Sequence, residues 1–303
     1  MTAVLSKIRA AVLALLAGLA FSACNASTSA PSQASPTPVL SPTPFLPAVP
    51  SGTPVPMALN VNGEGIPLAE FNAELARYQA AQTALGKTTS PEQATQAVQD
   101  DLIDSLLLAQ GARAYKFSVD EATLSSRIDL LTSQLGGAGA LSAWESAHGY
   151  TDASFREALS REIASAWMRD EIAASVPTTA EQVHVKQILL YNAGDAQSVL
   201  AKLQAGANFN DLAAAYDPVG QGDMGWFPRG YLPEAAIETA AFALQVGQYS
   251  AIIQTQVGYH ILLLVERDPA RPLSPDALLT LQQHALQGWL AQRRQESTIT
   301  LSP

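Results

Sequence analysis

The spacing of apolar residues changes at Val183, and that change commits the chain to two kinds of structure. Before it, apolar residues recur every three or four positions: Leu68, Phe71, Leu75 and Tyr78; Val98, Leu102, Leu106 and Ala109; Leu124, Ile128, Leu131 and Leu135; Phe155, Leu159, Ile163 and Trp167. That period places each set along one face of a helix. Ser90-Pro91-Glu92-Gln93 and Ser118-Val119-Asp120-Glu121 read as capping boxes, the first with proline at the opening helical position. Gly136-Gly137 ends the third helix, Thr151 opens the fourth and Pro177 closes the section. From Val183 the chain reads Val-His-Val-Lys-Gln-Ile-Leu-Leu, a strand that puts Val183, Val185, Gln187 and Leu189 on one face and His184 on the other. Helical patterns follow at 196–205 and 209–216, the second capped by Asn208, and another near 234–244. Strands are expected near 249–255 and 259–266, with Pro269 and Pro272 ending the unit and one more amphipathic helix over 274–296. The expected fold class is α+β.

The front of the chain speaks to compartment. Lys7 and Arg9 precede twelve uncharged, mostly apolar residues, Ala10 to Phe21. A bilayer-spanning helix needs roughly 20, so this reads as an export signal over residues 1–23. Phe21-Ser22-Ala23-Cys24 resembles the lipobox of bacterial lipoproteins, which implies lipid on Cys24 and anchoring at the extracytoplasmic face of the cell membrane. The alternative is an ordinary cleaved signal with an incidental cysteine. Cys24 is the only cysteine, so the chain forms no intrachain disulfide. Residues 24–56 are almost entirely Ser, Thr, Pro and Ala without charge, an extended spacer between anchor and folded body.

Lys and Arg number 17 against 27 Asp and Glu, a net charge of −10 with no basic stripe. That excludes nucleic acid as a partner and favours neutral or basic clients. No Cys/His metal spacing, phosphate-binding loop or Ser-His-Asp arrangement stands out, so no metal or cofactor is expected.

Residues 216–260 carry the chemistry. Gly222-Asp223-Met224-Gly225-Trp226-Phe227 is a glycine-rich turn leading into aromatics; Ala240-Ala241-Phe242-Ala243-Leu244 and Gly247-Gln248-Tyr249-Ser250 follow; Gly258-Tyr259-His260-Ile261 opens an apolar strand. This order resembles the parvulin (PpiC-type) family of peptidyl-prolyl isomerases. Val61-Asn62-Gly63-Glu64, Leu102-Ile103-Asp104 and His148-Gly149-Tyr150-Thr151 occur in the order of the N-terminal domain of SurA/PrsA-type foldases. The resemblance implies a helical chaperone-like domain at 57–176, an inserted parvulin/FKBP-like isomerase domain at 177–270, and a C-terminal helix at 271–303 packing back on the helical domain. It further implies unfolded or proline-containing exported polypeptides as partners.

Rotation about an X–Pro bond faces a barrier of about 18–20 kcal/mol from amide resonance. A catalyst needs an apolar seat for the proline ring and polar groups that favour the twisted amide. The resemblance places Met224, Phe227, Leu232 and Ile237 at the proline pocket, and His260, Asp217 and Gln187 at the catalytic positions. Read alone, Asp217 before Pro218 is equally a turn former, His260 a structural histidine, and Met224, Phe227 and Leu232 plain core. Gln187 departs from the family, which usually has histidine there. Glutamine keeps the hydrogen bond to His260 but does not titrate near pH 7. Two functions follow: an isomerase with activity reduced by Gln187, or a holdase whose parvulin domain only grips peptide.

Overall fold

The computed structural model describes residues 55–302. The export signal, Cys24 and nearly all of the spacer lie outside them. The described residues divide into two compact units: one comprises 55–103, 119–160 and 299–302, the other 104–118 and 161–298. No helix among them is long and apolar enough to cross a membrane.

The first unit contains a sheet that the helical periodicity hid. Strands β1 (Met57–Val61) and β2 (Glu64–Pro67) form an antiparallel hairpin. Its turn is Asn62-Gly63, with φ of 55° and 92°, the Asn-Gly signature of a tight hairpin. Strand β7 (Ile299–Leu301) pairs with the other edge of β1. The unit also contains α1 (Leu68–Ala84), which packs on the hairpin, the first part of α2 (Pro91–Ala114), α3 (Glu121–Leu135), α4 (Ala138–Ala147) and the first part of α5 (Asp152–Ala174). The capping box at α2 is reciprocal: Ser90 N donates to Gln93 Oε1 and Gln93 N to Ser90 Oγ. At α3 the cap is Asp120, not Ser118; its carboxylate accepts from Thr123 N at 2.7 Å. The helix α4 was not expected, and His148 is its C-cap, stacked on Trp144.

The second unit is built on a four-stranded antiparallel sheet, ordered β4 (Asp223–Pro228), β3 (Thr179–Leu190), β6 (Tyr259–Pro272), β5 (Ile253–Gln254). Alternation along β3 sends its side chains to two separate cores. Val183 and Val185 join Phe227, Ile237, Phe242 and Leu262 beneath α8 (Ala235–Ala243). Ile188 and Leu190 join Ile261 beneath α6 (Ala193–Gln204) and α7 (Phe209–Tyr216). Each fully buried aliphatic side chain here stabilises by about 1.5–3 kcal/mol. Asn208 caps α7, accepting from the backbone of Asn210 and Asp211.

Two strand expectations differ from the structure. Between 249 and 255 only Ile253–Gln254 is regular strand, with one isolated bridge from Tyr249 to Leu263. Strand β6, in contrast, continues through Pro269 to Pro272. The register against β3 shifts between Ala180 and Gln182, opposite this stretch, and β5 reaches only Tyr259 and His260. Pro269 therefore sits at a bulge beside an open edge, where a missing N–H breaks no ladder.

The helix α9 (Pro275–Glu296), capped by Ser274, completes this unit. Arg294 pairs with Asp104 at 2.7 Å, and Gln282 donates to the Ala173 carbonyl. A Cβ on Gly111 of α2 would fall 2.7 Å from the Trp289 ring. Glycine inside a helix costs about 1 kcal/mol against alanine, and here it makes room for that indole.

Candidate functional site

His260 stands where β6 meets β5, opposite Leu189 of β3 and Ile253 of β5. Gln187 stands opposite Leu262, so it is the diagonal neighbour of His260 on the same sheet face. The two side chains meet: His260 Nδ1 lies 3.0 Å from Gln187 Oε1. An amide oxygen only accepts, so Nδ1 carries the proton and Nε2 is left to accept. Thr255 Oγ1 lies 2.9 Å from Nε2 and donates to it. The imidazole is thus held from both sides as one neutral tautomer, at 7% exposure. Burial pushes its pKa below the ordinary histidine value, and the Glu234 carboxylate offsets part of that shift.

That depression sets a pH dependence. The unfolded histidine binds a proton near pH 6.5 and the folded one only at lower pH, so its contribution is present above pH 6.5 and lost as pH falls below it. Thermal melts of the full chain are expected to show falling stability between pH 7 and 5, and His260→Asn to remove that component of the slope. Equal slopes in both proteins refute the assignment.

The apolar part lies alongside. Leu262, two residues beyond His260, and Ile253, paired with it, both pack in the α8 core. The same cluster contains Phe227 and Ile237 as buried members and Met224 and Leu232 as half-buried ones. Phe227, 1% exposed, is the floor, while Met224 and Leu232 reach solvent. The loop bearing Leu232 is held by Glu238 of α8, whose carboxylate accepts from Gly230, Tyr231 and Leu232 backbone N–H groups.

Asp217 takes a different place. It is the C-cap of α7, and its carboxylate accepts from Gly220 N at 2.9 Å and Gly222 N at 3.1 Å. Those two N–H groups hold its pKa below the usual aspartate value. The loop it ties is pinned to the site, because Gln187 N donates to the Gly222 carbonyl at 2.8 Å. Asp217 therefore bears on His260 through Gly222 and Gln187. On the opposite sheet face His184 bonds Asp223 at 2.8 Å and stacks on Trp226. Asp223 also accepts from Gly225 N, as a turn former does.

A neutral histidine fixed between a hydroxyl and an amide, bordering an apolar shelf, can favour a twisted amide without any nucleophile. Residues 191–266 match the family described as the PPIC-type PPIASE domain, and residues 51–142 the SurA-like N-terminal domain. The chain carries a PpiC-type parvulin domain and a SurA-like N-terminal domain. The periplasmic chaperone PpiD of Haemophilus influenzae is 45% identical over 89 residues, 28% of this chain and 14% of that protein. The foldase protein PrsA of a Geobacillus species is 33% identical over 98 residues, 31% of this chain and 35% of that one. The matched stretches thus span well under two thirds of those relatives. A crystal structure of the peptidylprolyl isomerase PrsA from Bacillus cereus aligns with a TM-score of 0.43 at 20% identity, covering 77% of this chain and 83% of that chain.

Within the parvulin domain, two residues that shape the candidate site escaped the sequence reading. Thr255 bonds His260 across a turn in which Thr255 N donates to the Gly258 carbonyl. The glycine two residues before His260 was the available signal for that turn. Glu238 reads as an ordinary helix-surface acid, and only the fold brings the three amides to it.

Proposed function

We propose that the chain is a membrane-anchored, extracytoplasmic peptidyl-prolyl cis-trans isomerase and chaperone that assists the folding of exported proteins. The observation that carries this reading is His260, bonded on both ring nitrogens by Gln187 and Thr255 at the border of the apolar cluster. Met224 and Leu232, over Phe227 and Ile237, seat the proline ring, and His260 with Gln187 favours the twisted amide; Asp217 holds the loop that positions Gln187. Residues 57–176 serve as the chaperone module, 177–270 as the isomerase, and 271–303 as a closing helix, with 24–56 as spacer. Relatives named foldase and periplasmic chaperone support the polypeptide clients and the compartment.

One observation favours a second reading. Gln187 removes an ionisable group from the usual pair, which suits a holdase that binds peptide without turning it over. A protease-coupled assay on short X–Pro peptides decides between them. Acceleration by the full chain supports the isomerase; a rate equal to the uncatalysed one leaves the holdase.

The anchor is tested by Cys24→Ser, which is expected to move the protein from the membrane to the soluble fraction. Unchanged membrane association overturns lipidation at that residue.

A further inference from the structure

We infer that Val257 makes the site select an apolar side chain before the proline of its peptide over a polar one, charged or not. The inference rests on the peptide-binding reading above and assigns a specificity residue to that site.

A single exposed valine needs no explanation, and Val257, 63% exposed, is set apart by what holds it. Its backbone N–H donates to Thr255 Oγ1 at 3.1 Å, and the same oxygen bonds His260 Nε2 at 2.9 Å. Two hydrogen bonds through one atom therefore link the Val257 backbone to the imidazole. Thr255 N closes the turn on the Gly258 carbonyl at 2.8 Å. The turn also lies flush on the end of β3: a Cβ on Gly258 would fall 2.5 Å from the Leu190 carbonyl oxygen and 3.1 Å from Leu189 Cδ1. With its backbone pinned in this way, the valine is presented as a fixed apolar tip beside the ring.

The strand order β4-β3-β6-β5 sets which peptide residue meets it. Met224, on β4, lies to one side of the Gln187–His260 pair, and the turn that joins β5 to β6 lies to the other. With the proline ring on the Met224 side and the turning bond at His260, the residue before proline projects toward Val257. The strands on that side bring no fixed charge: from Thr239 to Val265 the chain has no Asp, Glu, Lys or Arg. The exposed neighbours of Val257, Gln254 and Gln256, are neutral. Asp217, the carboxylate of the opposite loop, is occupied by Gly220 and Gly222. An apolar side chain gains by covering Val257, whereas a polar one loses water against an apolar surface.

The test is a peptide series, Ala-Xaa-Pro-Phe with Xaa as Leu, Ala, Gln or Glu, followed with the full chain by chemical-shift titration and by protease-coupled kinetics. Covering part of one valine is expected to make the Leu peptide bind roughly fivefold tighter than the Gln peptide, which is similar in size without the apolar surface. Val257→Ser is expected to bring that ratio near one, and Val257→Lys to raise Glu above Gln. Both substitutions keep the backbone N–H that bonds Thr255. A parent Leu-to-Gln ratio near one, a ratio unchanged in Val257→Ser, or an equal loss for all four peptides in that variant overturns the inference. If the peptides bind and none is turned over, the isomerase reading falls, while the order of dissociation constants still decides on Val257. Absence of binding by all four peptides removes both the peptide-binding reading and the inference.

Discussion

Gly222→Ala is expected to lower the stability of the second unit by about 4 kcal/mol and to remove peptide isomerisation with it, an effect in the range of the most severe single substitutions. Gly222 has a φ of +71°, and a Cβ there would lie 2.1 Å from the Gln187 carbonyl oxygen and 3.3 Å from Ala213. Neither neighbour can yield easily. Gln187 is a central residue of β3 whose own N–H is tied to the Gly222 carbonyl, and Ala213 is buried in α7. Displacing Gln187 also moves the amide that orients His260. Gly247→Ala is the control: its φ is +84° but nothing lies within 4 Å of the added Cβ, so it carries only the left-handed backbone penalty of about 1–2 kcal/mol. Denaturant unfolding of both variants checks the comparison, and equal losses would show that the approach to Gln187 is not the controlling contact.

His260→Ala is expected to reduce kcat/KM for X–Pro peptides by roughly thirtyfold. That figure takes about 2 kcal/mol of twisted-amide stabilisation as lost when the two hydrogen bonds that hold the imidazole with Gln187 and Thr255 are removed and the site loses its order. Peptide affinity should change far less, because Met224 and Leu232 still offer the apolar shelf. Gln187→His restores a second ring on the same diagonal of the sheet, and it is expected to raise the rate or leave it unchanged. A large loss in Gln187→His would contradict the geometry in which Gln187 only accepts from Nδ1.

The parts of the fold that were legible in the sequence are those with a local cause. Val98, Leu102, Leu106 and Ala109 are buried as their spacing required, and Asn208 caps α7 through its own side chain. The meeting of Gln187 and His260 was implied by the resemblance to parvulins, and each lies in a strand whose apolar pattern was clear. Other features depend on distant partners. The short strands β1 and β2 sit beside a strong helical pattern, and β7 becomes a strand only because β1 offers it an edge. Helix α4 follows two glycines, and its N-cap makes no side-chain hydrogen bond, so no capping signal announced it. Asp217 shows the limit most clearly. Its place before Pro218 suited a turn former or a site residue, and the structure shows a carboxylate that closes its own loop and through it steadies Gln187.

The pairing of Leu59 with Leu301 has a consequence for the order of assembly. The hairpin of β1 and β2 is local and can close early, but its third strand arrives only after every residue between Val61 and Ile299 has been made. The strands β3, β4, β5 and β6 come from one continuous stretch, 179–272, and need nothing beyond it to pair. Contacts between residues far apart in sequence form late because the intervening loop must first be closed, and domains emerge from synthesis N-terminal part first. The sheet of the second unit is therefore complete while the sheet nearer the start of the chain is still missing an edge. The parvulin domain is thereby formed before the SurA-like domain that precedes it in the chain is finished.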